Sequence, residues 1–452
     1  MSRGQLIATG FGTSVVMWGA GYFARLPAAD VPGAFLAAFF AVALLGGGAV
    51  AARRTGAGWR AGAVAMAITS LVNLLMLGGL LAEHGLAAAL LYVPGTLLAG
   101  AVLGAIGGFA GSRVAMTRGE GASRRETPPA GDAELDPGNA ALARVAVAAT
   151  FMLLLVGGVV TSENAGLAVV DWPNSYGYNM FLYPLARMTG HIYFEHAHRL
   201  FGSLIGLTTL VLAIRLAATE RRGWVKRYGF GLLLLVMVQG LLGGLRVTGH
   251  LTMSQSPADT SPSIALAVVH GVIAQLFLAS LTALAAFTSA AWRRAGSGPV
   301  DGRAVTGRGD FRLALAFLIA LFVQLVLGSL QRHLARGIAV HMMMAGIVAI
   351  LGFAAGARAW GKTERAPLLG RAGLLVIIVT TLQLALGVGA LVTTGALAGT
   401  LVTTTASVIV ATAHQTNGAL LLALAVLLLV WNGRLGEWRY ASDSGSTIQS
   451  TT

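Results

Sequence analysis

The run Leu313–Arg332, LALAFLIALFVQLVLGSLQR, is followed after the four residues HLAR by Gly337–Ala357, GIAVHMMMAGIVAILGFAAGA. Each run has about the 20 residues that a helix needs to cross a hydrocarbon core of about 30 Å. The connector only has room to turn the chain back, so the pair reads as a membrane hairpin. Two polar side chains stand in its apolar surroundings: Gln324, one turn before Gly328, and His341 near the mouth of the second helix.

The same pattern recurs on either side. Gln-x-x-x-Gly appears again as Gln239 with Gly243 and Gln383 with Gly387, and the span after each carries a histidine near its outer end: His270, His341 and His414. His198 takes the same place in an earlier span. His198 and His270 are 72 residues apart and His341 and His414 are 73, while His198–His341 and His270–His414 are 143 and 144. Such spacing is that of a duplicated four-helix unit, each copy contributing two intramembrane histidines at matched depth.

The whole composition agrees. Of 452 residues 56% are apolar and only 11% charged, against about 25% charged in soluble domains, and the mean hydropathy is +0.75. The 61 glycines suit close helix approach in lipid. The predicted fold is an all-α polytopic membrane protein with about twelve spans, near 6–25, 33–51, 61–82, 86–111, 142–162, 190–214, 228–247, 263–291, 313–332, 337–357, 369–392 and 405–431. They group into an N-terminal four-helix module (1–111), a linker (112–141), a first bundle (142–292), a second linker (293–312), a second bundle (313–431) and a tail (432–452). The bundles are expected to be pseudo-symmetric. In the first module the lone histidine, His84, falls in a short predicted loop beside Glu83 and no chemical motif is found. The apolar stretch after Met1–Gln5 lacks a small-residue cleavage site and is expected to stay as the first anchor.

A net charge of +14 would suggest nucleic acid in a soluble protein. With both termini placed in the cytoplasm, however, all but six of the 31 Lys and Arg fall on the inner side, so the charge is a topology signal and no nucleic-acid partner is expected. The expected location is the cell (inner) membrane. The exceptions are Arg25, Arg187, Arg199, Arg246, Arg332 and Arg336. Arg199, Arg246, Arg332 and Arg336 lie near a histidine or a helix mouth, where a ligand's carboxylates could supply the counter-charge. Cysteine is absent, which leaves His and carboxylates as metal ligands.

A single intramembrane histidine is ordinarily a polar group satisfied by a neighbouring helix. Four at equal depth, two per repeat, suit ligation of a metal or of the iron of a planar macrocycle in each bundle core. Zinc is disfavoured because further close-spaced ligands are missing, and a proton relay because the repeat region has essentially one intramembrane carboxylate. That one is Glu195, in Gly190-His191-Ile192-Tyr193-Phe194-Glu195-His196-Ala197-His198-Arg199. His191, Glu195 and His198 share a helix face, and Glu195 either joins the site or forms an i, i+4 ion pair with Arg199. His196 lies off that face and is expected at the interface; His191 either joins the site or faces water. The outer loop 161–189 contains Asp171-Trp172-Pro173, read as a lid or as a membrane-surface loop.

The elements Gly166-Leu-Ala-Val-Val-Asp171-Trp172-Pro173 and Glu195-His196-Ala197-His198-Arg199, with His270, His341 and His414, resemble the haem A synthase family of the CtaA/COX15 type over about residues 142–431. The resemblance implies conversion of haem O to haem A by oxidation of a ring methyl to formyl, for cytochrome oxidase biogenesis. It further implies that His341 and His414 ligate a haem b (iron) cofactor, that His198 and His270 hold the substrate haem, and that Glu195 is the essential glutamate. Arg199, with Arg246 or Arg332, would then anchor propionates. The lipid bilayer, haem O and the haem O synthase are the partners this implies. Many relatives carry outer-loop cysteines, one of them in Cys-Pro-Asp-Trp-Pro; here Val169-Val170 replaces that dipeptide, which excludes a thiol step. The four helical histidines by themselves also admit a di-haem b electron-transfer protein or a haem transporter or chaperone.

Overall fold

The computed structural model describes residues 2–27, 29, 31–117, 136–248, 263–295, 305–396 and 402–436. Among them lie twelve helical segments long and apolar enough to cross a membrane, and the protein is a multi-pass helical membrane protein. In lipid every backbone N–H and C=O has to be paired within its own segment, which is why uninterrupted helices are the outcome. The α-helices, eleven of which carry the spans, are α1 (Arg3–Ala24), α2 (Gly33–Thr55), α3 (Gly58–Thr117), α4 (Pro137–Ser162), α5 (Gly190–Thr219), α6 (Gly223–Thr248), α7 (Ile264–Phe287), the short α8 (Ala290–Arg294), α9 (Arg308–Leu334), α10 (Ile338–Trp360), α11 (Pro367–Thr393) and α12 (Thr405–Arg434).

α3 holds two of the spans. In place of the predicted loop at 83–85, the helix is interrupted at one residue, Gly85, whose φ of 78° lies in the region that favours glycine. His84 and Glu83 therefore belong to helical backbone. Most of the predicted linker 112–141 (residues 118–135), the core of the second linker (296–304) and the tail beyond 436 lie outside the described residues. The end of the first linker is ordered as the start of α4. There Asp136 accepts from Ser2 Oγ (2.9 Å) and the Gly138 amide (2.8 Å) and pairs with Arg215.

The chain divides into two compact units, Met1–Val156 with Ala165–Met237, and Gly157–Asn164 with Val238–Thr452. In the first, α1, α2 and α3 pack together around Leu6, Met17, Leu44, Ala51, Ala61, Ala65 and Met66. Buried polar groups bond across these helices: Trp18 Nε1 donates to Asn73 Oδ1 (3.0 Å) and Thr69 Oγ1 to the Gly10 carbonyl (3.0 Å). Such bonds and small-residue contacts hold helices together where lipid removes the hydrophobic drive.

In the second unit the neighbours are α9 with α10, α10 with α11, α11 with α12, and α12 with α9. That order closes a four-helix ring in which α10 and α12 stand at diagonal corners. Its core includes Phe317, Leu321, Val348, Val376, Leu421 and Leu428, and α7 packs against α9 and α12.

Candidate functional site

α10 and α12 each bring one histidine into the ring. The imidazoles of His341 and His414 stand with centroids 6.4 Å apart and planes at 78°. The preceding helices explain how they are held. Gln324 on α9 donates from Nε2 to the His341 carbonyl (3.1 Å) and lies 3.4 Å from His341 Nε2. Gln383 on α11 sets its Nε2 at 3.2 and 3.4 Å from the two ring nitrogens of His414, while Asn417 Nδ2 donates to Gln383 Oε1 (2.7 Å) and to the Val379 carbonyl (3.0 Å).

The glycine one turn on makes room for the ring. A Cβ added at Gly328 would stand 2.9 Å from His341 Cε1, and one at Gly387 would stand 3.1 Å from His414 Cε1. The third copy repeats this on α6 and α7: Gln239 Nε2 donates to the His270 carbonyl (2.7 Å), and a Cβ at Gly243 would lie 3.1 Å from His270 Cε1. The Gln-x-x-x-Gly pattern was visible as a repeat; its pairing with the following helix's histidine was not.

The centroid separation of His341 and His414 is that of two rings sharing one metal. An ion about 2.0–2.1 Å from one nitrogen of each ring, each nitrogen about 1.2 Å from its centroid, puts facing centroids roughly 6.4 Å apart. His341 Nδ1 is buried with no hydrogen-bond partner among the described residues, which leaves one ring nitrogen open to a water or a ligand. The described residues contain no group of three or more His, Asp or Glu able to hold a bare ion. Two opposed imidazoles with nothing else suit an iron whose remaining ligands come from a macrocycle.

In the first unit, α5 and the loop before it form one hydrogen-bonded body. Glu195 is 4% exposed; its Oε2 accepts from the Val169 amide (2.9 Å) and its Oε1 from Arg199 Nη2 (2.7 Å). Arg199 also donates to the carbonyls of Val169 (2.6 Å), Asp171 (2.7 Å) and Asn174 (2.9 Å). The ion pair expected from the i, i+4 spacing is present and buried, and it is part of a strap that ties the Asp-Trp-Pro loop to α5. A propionate at Arg199 would have to compete with these carbonyls.

Within the loop, Asn174–Ser175 pairs antiparallel with Tyr178–Asn179, and the turn residues Tyr176 and Gly177 both take positive φ, 50° and 77°, as a two-residue hairpin of the primed type requires. The turn amides donate to Asp171, Tyr176 to Oδ1 (2.7 Å) and Gly177 to Oδ2 (2.8 Å). Burial alone would raise the Asp171 carboxyl. Donation from Gly177 and Tyr176 and the Arg199 charge outweigh it and hold the group below its ordinary 3.8.

His196 departs from expectation. It is 1% exposed, its Nδ1 lies 3.1 Å from Ser175 Oγ and its ring 4.9 Å from that of Tyr183, because the hairpin folds over the face that the sequence assigned to the interface. His191 is exposed at the helix start. His198 is half-buried on α5 in the first unit; along its face an added Cβ at Gly202 or Gly206 would meet nothing within 4 Å. His270 belongs to the second unit. Arg332 donates to the Thr161 carbonyl, and Arg336 is exposed.

By fold this is a helical multi-pass membrane protein, with two imidazoles close together in one bundle core and a strapped carboxylate one turn from a further histidine. Residues 140–342 match the COX15-CtaA family, described as cytochrome oxidase assembly protein. The matched segment is a little under half of the chain. It takes in Glu195, His198, His270 and His341 and stops before His414. Neither curated proteins nor solved structures give a match to the chain.

Proposed function

We propose that the protein is a haem A synthase-like oxidoreductase that converts haem O to haem A, oxidising a ring methyl to formyl. The observation that carries this reading is the His341–His414 pair, 6.4 Å apart on diagonal helices, in a chain whose residues 140–342 match the family. In this reading His341 and His414 hold a haem b. His198 and His270 take the substrate haem, an assignment that rests on the repeat spacing and the family resemblance. The three-part division into an N-terminal module and two bundles belongs to the same proposal, as do the inner-membrane location and a haem O synthase as supplier of substrate.

Bound haem supplies the oxidising chemistry at its iron. The chain supplies position and charge. Glu195, bonded by Arg199 and the Val169 amide, presents a carboxyl group one turn from His198 that orients water or stabilises developing positive charge near the reacting methyl. The loop strapped over it by Arg199 limits the access of bulk water.

The test is pigment extraction from cells expressing the chain together with a source of haem O. Haem A is expected from the wild type, and Glu195→Gln should lower its yield about 100-fold or more. Two stably bound haems b with no haem A would instead favour the electron-transfer reading, to which an opposed histidine pair is equally suited. Undiminished haem A from Glu195→Gln would remove the glutamate from the mechanism.

A further inference from the structure

The histidines of the second bundle are each held from the preceding helix, His341 by its backbone carbonyl and His414 at its ring. α9 lends Gln324 and Gly328 to His341, and α11 lends Gln383 and Gly387 to His414. Gln324 holds the backbone that carries His341, and the Gln383 amide lies against the His414 ring. The missing glycine side chains leave room for the rings, since a Cβ there would stand 2.9–3.1 Å from Cε1 and the ring would have to shift to admit it. Asn417 settles which way the Gln383 amide points: its Nδ2 already donates to the Val379 carbonyl, so the atom it meets on Gln383 is the oxygen, and the N–H side of Gln383 is turned to His414. With both contacts in place the ring planes stand at 78°.

We propose that Gln324, Gln383 and Asn417, with Gly328 and Gly387, are positioning residues that set the crossed orientation of His341 and His414 and so the electronic state of the iron they hold. This rests on the reading of the pair as haem ligands. Near-perpendicular axial imidazoles give low-spin ferric iron a strongly anisotropic paramagnetic resonance signal dominated by one low-field feature, whereas parallel planes give a rhombic signal. The Gln383 N–H also puts the positive end of a dipole against the ligand, which disfavours the ferric form and raises the midpoint potential.

The experiment uses the full chain carrying His198→Ala, so that the second-bundle site dominates, loaded with ferric protoporphyrin IX. Paramagnetic resonance and redox titration are compared for this background and for added Gln383→Met, Gln324→Met and Gly387→Ala. Gln383→Met keeps the side-chain length and removes the amide; it should retain haem, move the signal toward the rhombic class and lower the potential. Gly387→Ala should move the signal in the same direction. If Gly387→Ala does not fold, the two methionine variants decide. Haem-loaded methionine variants with unchanged signal and potential would overturn the assignment alone. A parent that binds no haem would overturn the functional reading and this inference with it.

Discussion

At the scale of single residues, Arg199 is the side chain on which most of the proposed site depends. One guanidinium serves three loop carbonyls and the Glu195 carboxylate, which its planar fork allows and a single ammonium does not. Arg199→Lys is therefore expected to keep the charge and lose the strap, with haem A yield falling about 10–100-fold, the usual effect of removing a supporting partner; yield equal to wild type would show that the strap is dispensable. Asp171 gives the loop a pH limit. Its carboxyl titrates below 3.8 in the folded protein, so its contribution is complete above the ordinary carboxylate range and is lost as pH falls through the lowered value. Protease cutting between Asp171 and Tyr178 should rise steeply only in that acid range, whereas Asp171→Asn should be cut readily at neutral pH and show no such step. The sequence made part of this legible. Helical spacing puts Glu195 beside His198 and Arg199, but the bond from the Val169 amide to Glu195 spans 26 residues and leaves no periodicity to read. His196 was misplaced for the same reason, since its burial is created by a hairpin that arrives from the loop.

Among the elements, the N-terminal helices have a visible task although no chemical motif. α1 lies against α5 through Tyr22 stacked on Tyr193 (5.6 Å, 13°) and Trp18 edge-on to Phe201 (5.6 Å), and Tyr193 Oη donates to the Tyr22 carbonyl (2.7 Å). α3 meets the loop as closely: a Cβ at Gly78 or Gly79 would run into the carbonyl oxygen of Phe181 or Tyr183, and Tyr183 in turn carries the His196 ring. The module thus backs the element that bears Glu195 and the loop strapped to it. Tyr193→Phe should cost about 0.5–1.5 kcal/mol, one buried hydrogen bond, and Tyr193→Ala about 3–5 kcal/mol, both measured by unfolding in detergent. A Tyr193→Ala variant as stable as wild type would dissociate α1 from α5. None of this could be read from the sequence, because aromatic packing between helices 171 residues apart depends on rotations that composition does not specify. The hairpin had a readable trace in Tyr176-Gly177, where a glycine sits at one of two positions that need positive φ.

For the molecule as a whole, the twelve spans were legible because lipid permits so few alternatives: an apolar run of sufficient length has to be a helix, and only its ends are left to local chemistry. What hydropathy does not carry is direction, and here the charge pattern makes a claim that can be checked. Placing both termini in the cytoplasm gathers all but six of the 31 Lys and Arg on the inner side, the bias that short loops show in membranes. In this topology the turn between α10 and α11, with Thr363 exposed, faces the cytoplasm, and the hairpin before α5, with Asn174 exposed, faces outward. The chain has no cysteine of its own, so a single introduced thiol reports its side without background. Asn174→Cys should react with a membrane-impermeant maleimide in intact cells, and Thr363→Cys only after the membrane is opened. The reverse pattern would invert the protein. It would also leave Glu195, Arg199 and the strapped loop on the cytoplasmic side, so the same pair of variants tests where the proposed haem-oxidising face meets its water.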